Sequence, residues 1–442
     1  MLKEAMLYSS FSRQLLTTHN VDSKRFILAF SGGLDSRVLL DLMARFIAQY
    51  PVYSCHAVYV HHGLSKNADV WAEKCLAWAK QCGISCDVEH VMVEAGNRIS
   101  LEQAAREARY NALAKHVQQG DTLLTAQHSD DQIETFLLAL KRGSGPAGLA
   151  SMPTILPFAK GKHLRPLLNV TRAEIEQYGK EHQLEWVEDE SNQDERYDRN
   201  FIRHQITPRL VERWPGIHKA VARSSALCGE QEALLEELLS TQLAQAIQSD
   251  GSLLLADNTT QRIGMALIRQ WLRQQKVVMP SLAQLEQLWF NVVLAKQDAN
   301  PKLCWANVEV RRSQGKLYLL QQWSDISQWQ APFEIDAICH LPQELGTLQL
   351  SQSSNDKVLR YPRADEKVTV RFCYQGDPIK PLGRSGSRKL KKLFQEYQVP
   401  SWLRSRTPFI FYGEKLVAVV GYFVVADFAG DDLAIITSNL TD

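Results

Sequence analysis

FILAFSGGLDS, residues 26–36, decides how this chain is to be read. Phe26, Ile27, Leu28, Ala29 and Phe30 suit a strand buried on both faces. The run breaks at Ser31, Gly32 and Gly33 before a helical apolar period resumes at Val38. The pattern is strand, glycine turn, helix. Such a turn aims backbone N–H groups and the positive end of a helix dipole at one point, and paired glycines let a bulky anion approach. A polyphosphate is the natural occupant. The Walker pattern would place Lys and then Ser or Thr at the helix start; Asp35 and Ser36 stand here instead, so this is not an ordinary P-loop.

Outward from that turn, residues 37–48 read as a helix, and strand-like runs recur at 52–60, 84–93 and 122–126 with helical stretches between them. Regular alternation predicts an α/β domain with a parallel sheet and helices on both faces. Ligands in such sheets sit at the carboxyl ends of the strands, where the turns at Ser31, at His61-His62-Gly63 and at His128 would all lie. Ser100 and Gln103 form a capping box for a helix from Leu101, on which Arg106 and Arg109 share a face. Two such guanidiniums suit phosphate, although exposed arginines on helices are ordinarily just solvated.

HSDDQIET, residues 128–135, opens a helix to about Arg142 and projects Asp131, Glu134 and Thr135 together near its N-terminus. Capping accounts for one acid, not for all of them. Gly143, Gly145 and Gly148 spell G-x-G-x-x-G but follow a helix, so the dinucleotide reading fails on context. Thr171 and Glu174 cap a further helix, and an acidic loop at 188–194 leads to Arg199 and Arg203.

With 442 residues, two or three domains are expected; 45% hydrophobic and 22% charged residues are the proportions of an ordinary globular protein. A net charge of +1 provides no global field for nucleic acid, so any basic surface must be local. The longest apolar stretch, 416–426, falls short of the ~20 residues that span a bilayer, so a cytoplasmic protein with no membrane partner is expected. The eight cysteines are scattered, with no C-x-x-C and no paired metal spacing, and no metal site is assigned to them.

Residues 1–209 are therefore read as the nucleotide-binding domain and 210–350 as an α-rich middle domain. Its leucine stripe (Leu234, Leu235, Leu238, Leu239, Leu243) reads as core. The polar stretch at 351–356 is the linker candidate, and 357–442 is a small α+β C-terminal domain. Between residues 380 and 406 eight basic residues face only Glu396. Lys389, Lys391, Lys392 and Arg404 could neutralise phosphates there, and the interleaved Phe394, Tyr397 and Trp402 could stack on bases.

SGGLDS resembles the pyrophosphate loop of the N-type ATP pyrophosphatases. With HSDDQIET, RGSGPAGLASM (142–152), RPLL (165–168) and DESNQDERYDRNFIR (189–203), the first 210 residues resemble the tRNA(Ile)-lysidine synthetase family. GD, PLGR, KKLFQE and VPSWLRSRTP resemble that family's C-terminal tRNA-contacting domain, whereas Ser65 replaces an Arg that many members carry.

The resemblance implies that ATP adenylates the carbonyl oxygen at carbon 2 of the wobble cytidine in a tRNA(Ile) with a CAU anticodon and that the ε-amine of L-lysine then attacks carbon 2 and displaces AMP. It implies that Ser31, Gly32, Gly33, Leu34, Asp35 and Ser36 bind ATP, with Asp35 towards the reacting phosphate or its Mg2+. Asp131 and Glu134 would hold and deprotonate lysine, and Arg199 and Arg203 would stabilise phosphate or grip RNA. Arg106, Arg109, His128 and the C-terminal basic residues would bind substrate. A homodimer is one assembly left open. The rival readings are a tRNA thiolase of the same superfamily, which the missing C-x-x-C disfavours, and a non-catalytic tRNA-binding protein, which the intact motifs disfavour.

Overall fold

In this computed structural model the described residues are 2–18, 24–93, 101–296, 299–321, 323–354, 356–438. They form two compact units, Met1–Leu238 and Leu239–Asp442. The capping-box residue Ser100 lies outside the described residues.

The first unit is built on a six-stranded sheet: β1 (Arg25–Ala29), β2 (Ser54–His61), β3 (Ser85–His90), β4 (Thr122–Leu124), β5 (Ile155–Phe158) and β6 (Gly161–Leu164), in the order β3-β2-β1-β4-β6-β5. All pairings are parallel except the β5–β6 hairpin. The period of two in β1 divides its side chains between two cores. Phe26, Leu28 and Phe30 join one with Val38, Leu39, Met43 and Phe46, while Ile27 and Ala29 join the other with Ala112, Leu113 and Leu123.

The helices are α1 (Leu2–Thr18), α2 (Leu34–Gln49), α3 (Ala68–Gln81), α4 (Leu101–His116), α5 (Ser129–Lys141), α6 (Pro146–Leu149) and α7 (Arg172–Glu181), then α8 (Asp198–Phe201), α9 (Thr207–Arg213) and α10 (Ile217–Ala246). Because β2 and β3 follow on one side of β1 and β4 on the other, the chain reverses its winding between β1 and β4. That switch point opens a crevice at their carboxyl ends.

In the second unit, β7 (Leu253–Leu254), α11 (Gln261–Gln274), α12 (Leu282–Leu288), β8 (Lys302–Trp305), β9 (Val308–Ser313) and β10 (Lys316–Gln321) enclose a core around Trp271, Leu285 and Leu317. Leu239 and Leu243 join that core, but Leu234, Leu235 and Leu238 are exposed, so the leucine stripe is longer than the surface that covers it.

Two antiparallel sheets follow and share one core. One contains β11 (Gln330–Pro332), β15 (Val368–Arg371), β16 (Phe409–Tyr412), β17 (Lys415–Val419) and β18 (Phe423–Val424). The other contains β12 (Ile338–His340), β13 (Thr347–Ser351), β14 (Lys357–Leu359) and β19 (Ala429–Ser438). β13 and β14 both pair with β19, so the polar stretch between them connects strands of one sheet and is not an interdomain linker. The short helix α13 (Leu390–Glu396) packs on this core.

Candidate active site

Ser31 to Ser36 form the turn from β1 into α2. Gly32 has φ +77°, and a Cβ on it would lie 2.7 Å from the Cys75 sulfur, so glycine is required there on two counts. Ser36 Oγ ties the turn together: it accepts from the Ser31 N–H at 3.2 Å and donates to the Gly33 carbonyl at 3.0 Å. Gly33 caps α2, and Asp35 sits in its first turn, where the dipole favours a carboxylate.

Across the crevice, α5 starts directly after His128. The Asp131 carboxylate accepts the His128 backbone N–H at 3.0 Å, which sets the helix entry. His128 is buried with its Nε2 3.5 Å from Asp131 and 3.7 Å from Asp35, while Nδ1 is 3.7 Å from Asp130. Burial alone would lower its pKa, but the three carboxylates outweigh burial and push it up to about 9. Asp130 accepts the Arg172 N–H at 2.8 Å and lies 3.3 Å from His218. Burial opposes its ionisation, yet His128, His218 and that N–H hold it well below the usual carboxylate range.

The raised pKa of His128 makes stability depend on pH. Its folded value lies above the unfolded ~6.5, so the stabilisation is complete below about pH 6.5 and is lost as pH rises through about 9. Thermal melts between pH 6 and 10 should show the wild type losing on the order of 3 kcal/mol relative to His128→Gln. Parallel pH profiles for the two proteins would contradict an imidazolium at this position.

Deeper in the crevice Glu134 is fully buried, and Arg203 grips it through Nε at 2.7 Å and Nη2 at 2.9 Å, the latter nitrogen also reaching Asp131 at 3.0 Å. Arg199 stands 3.7 Å from Glu134 and donates to Thr135 Oγ1 at 3.1 Å. Burial and the charge of Asp131 raise the Glu134 pKa, against the pull of Arg203 and Arg199. Arg203 lies in a π-helical turn, Ile202–Ile206, a local distortion frequent at functional sites. Asn200 anchors the segment by donating to the carbonyls of Ser191 and Asp194.

Sequence reasoning missed Arg172, whose guanidinium contacts Asp35, and His218, which reaches Asp130 from α10. Arg106 and Arg109 lie in a different, cationic cluster with His163 of β6 and the buried Arg165. Burial, with Arg165, Arg106 and Arg109 nearby, lowers the His163 pKa to about 3.

In the second unit Lys389, Lys391 and Lys392 are exposed, whereas Arg404 is half-buried and donates to the Val399 carbonyl at 3.0 Å. The aromatics between them face inward: Phe394 stacks on Phe409, Trp402 meets Tyr318 at 5.0 Å, and Tyr397 stacks on Phe423. Phe394 and Trp402 thus belong to the core and do not offer a base-stacking surface.

Comparison with known families matches residues 7–210 to a PP-loop domain, 265–318 to the TilS substrate binding domain and 368–435 to the TilS substrate C-terminal domain. A tRNA(Ile)-lysidine synthase of Photobacterium profundum is 61% identical over 97% of this chain and 98% of its own length. The chain belongs to the tRNA(Ile)-lysidine synthase family. A second tRNA(Ile)-lysidine synthase, from Vibrio parahaemolyticus, is 52% identical over 97% of this chain and 98% of its own length. The match to tRNA(Ile)-lysidine synthases therefore takes in both units, including the basic C-terminal stretch. No helix among the described residues is long and apolar enough to cross a membrane.

Proposed function

We propose that the chain is an ATP-dependent ligase that joins L-lysine to carbon 2 of the wobble cytidine of tRNA(Ile) with a CAU anticodon, in the cytoplasm. AMP and pyrophosphate are released, and the lysidine formed changes codon reading from AUG to AUA. The observation that carries this reading is that one imidazole nitrogen, His128 Nε2, stands within 3.7 Å of both Asp35 and Asp131. The nucleotide turn and the acidic helix therefore face one reaction space.

A pyrimidine carbonyl oxygen leaves poorly until it is esterified to AMP, so two steps are required. The turn at Ser31 to Ser36 holds the phosphates, and Arg106 and Arg109, in their separate cationic cluster, contact the RNA backbone. Asp35 with the hydroxyls of Ser31 and Ser36 is an all-oxygen donor set that fits Mg2+, which when bound neutralises phosphate charge. Asp131 receives the lysine ε-ammonium and, as general base, takes up its proton as the amine attacks carbon 2. Glu134 is too deeply buried to meet solvent directly and acts by holding Arg203 in place.

The carrying experiment is transfer of labelled lysine into unmodified tRNA(Ile) with a CAU anticodon. Stoichiometric label and AMP are expected. ATP and tRNA binding without label would turn the reading to sulfur transfer, against which the cysteines of the chain, scattered and free, already weigh.

In the same reading, the helical part of the chain up to β10 helps embrace the tRNA and the two-sheet part from β11 onward contacts it, with Lys389, Lys391 and Lys392 on phosphates. Replacing these three by Ala is expected to raise the tRNA KM about tenfold or more and to flatten the plot of log affinity against log salt by about 2–3. An unchanged salt slope would remove them from the RNA interface.

A further inference from the structure

At the other end of the first sheet, His56, Asp87 and His116 bring their ligand atoms within 4.8 Å of one another. We propose that these three residues bind a divalent transition metal, zinc by preference, at a structural site separate from the ligase crevice. β2 sends Cys55, Ala57 and Tyr59 into one core and His56, Val58 and Val60 to the face covered by α4. On the edge strand β3, Ser85 pairs with His56, Asp87 with Val58 and Glu89 with Val60, so three polar residues share that face. His116, the last residue of α4, comes down onto them.

His56 Nε2 is 3.0 Å from Asp87 Oδ2, and His116 Nδ1 is 3.9 Å from the same oxygen. Tetrahedral zinc with bonds of about 2.0–2.1 Å sets its ligands about 3.3 Å apart, so small side-chain rotations close the site. The outer nitrogens are already engaged: His56 Nδ1 is 2.8 Å from Ser85 Oγ, and His116 Nε2 is 2.9 Å from Glu89. A hydrogen bond on the far nitrogen fixes tautomer and ring direction, as metal-ligating histidines require. The rings are stacked with centroids 5.7 Å apart, and Arg25 donates to the His116 carbonyl at 2.6 Å, fixing the end of α4.

Without a metal, the contact of the half-buried His56 with the exposed Asp87 is of the kind that contributes little, and Lys115 competes for Glu89 at 3.7 Å. Two imidazoles and a carboxylate select zinc over magnesium, which prefers oxygen ligands alone. A bound ion would tie β2, the edge strand β3 and the end of α4 together, with a fourth position open to water.

The test uses the full chain, without a tag, treated with chelator and dialysed against zinc alone. One zinc per chain is expected at micromolar or lower free metal, with a raised thermal midpoint and with cobalt giving a visible four-coordinate spectrum. His56→Gln and His116→Ala should each weaken binding by about a hundredfold or more, and Glu89→Gln by about tenfold, with lysine transfer at 25 °C unchanged. Zinc absent from the wild type would overturn the proposal whatever the variants do. Zinc that survives His56→Gln and His116→Ala would be held by other acids, and the proposal would fail equally.

Discussion

Asp131→Asn should bind ATP as the wild type does and transfer lysine at least a thousandfold more slowly, on the order of the loss when a charge that meets a reacting group is removed. Asn keeps the shape, and its amide oxygen can still accept the His128 N–H that opens α5. Arg203 stays anchored by two bonds to Glu134, so the local framework has no reason to collapse. What disappears is a carboxylate in contact with both Arg203 and His128 that retains some access to solvent. Pyrophosphate release with lysine omitted separates the two chemical steps. If it falls as far as lysine transfer, Asp131 acts in activation and the amine-binding role is wrong.

Removing Glu134 is a different experiment. Its side chain is fully buried against the Arg203 guanidinium and close to Arg199, so deleting it leaves a cavity and costs both cations their buried partner, although Arg203 keeps Asp131. Lost activity in Glu134→Ala would thus report folding as much as chemistry, which is why Asp131 carries the decisive test.

The strand-turn-helix around Ser31 was legible because burial on both faces, a glycine break and helical periodicity are all local signals. The common face of Asp131, Glu134 and Thr135 was legible for the same reason, since helical spacing alone sets it. Arg172 was not, because its bond to Asp35 joins residues 137 apart and depends on how α7 packs beside α2. His218 likewise reaches Asp130 only through the course of α10.

The C-terminal aromatics misled because a seven-residue helix and its flanking turns carry too few periods to say which side is covered. Only the sheet beneath α13 shows that Phe394 points inward. The strands β11 to β14 were missed for a related reason: they are three to five residues long and only partly buried, so their alternation barely rises above that of a loop. A linker was read where the chain in fact turns between two partners of β19.

Asp35→Asn should abolish the first step where Asp131→Asn abolishes the second: pyrophosphate release is expected to fall by about a thousandfold or more, with lysine present or absent. Asp35 contacts the Arg172 guanidinium and lies 3.7 Å from His128, so in the ligand-free protein two cationic groups already converge on the end of the phosphate turn. Exchange of these contacts for ATP moves the same charges onto the nucleotide. The amide is isosteric but neutral, so it can neither orient a cation on the phosphates nor hold the imidazolium of His128 in register. The stabilising effect of an acid in the first turn of a helix is at most about 2 kcal/mol, so a protein that melts near the wild-type temperature and yet releases no pyrophosphate has lost chemistry, not fold. Arg172→Met provides the complementary measurement. It removes the partner but leaves the acid, and a far smaller loss is expected if Asp35 itself is the working group. Equal losses in the two variants would shift the essential contact to the guanidinium, and pyrophosphate release retained in Asp35→Asn would remove Asp35 from the reaction altogether.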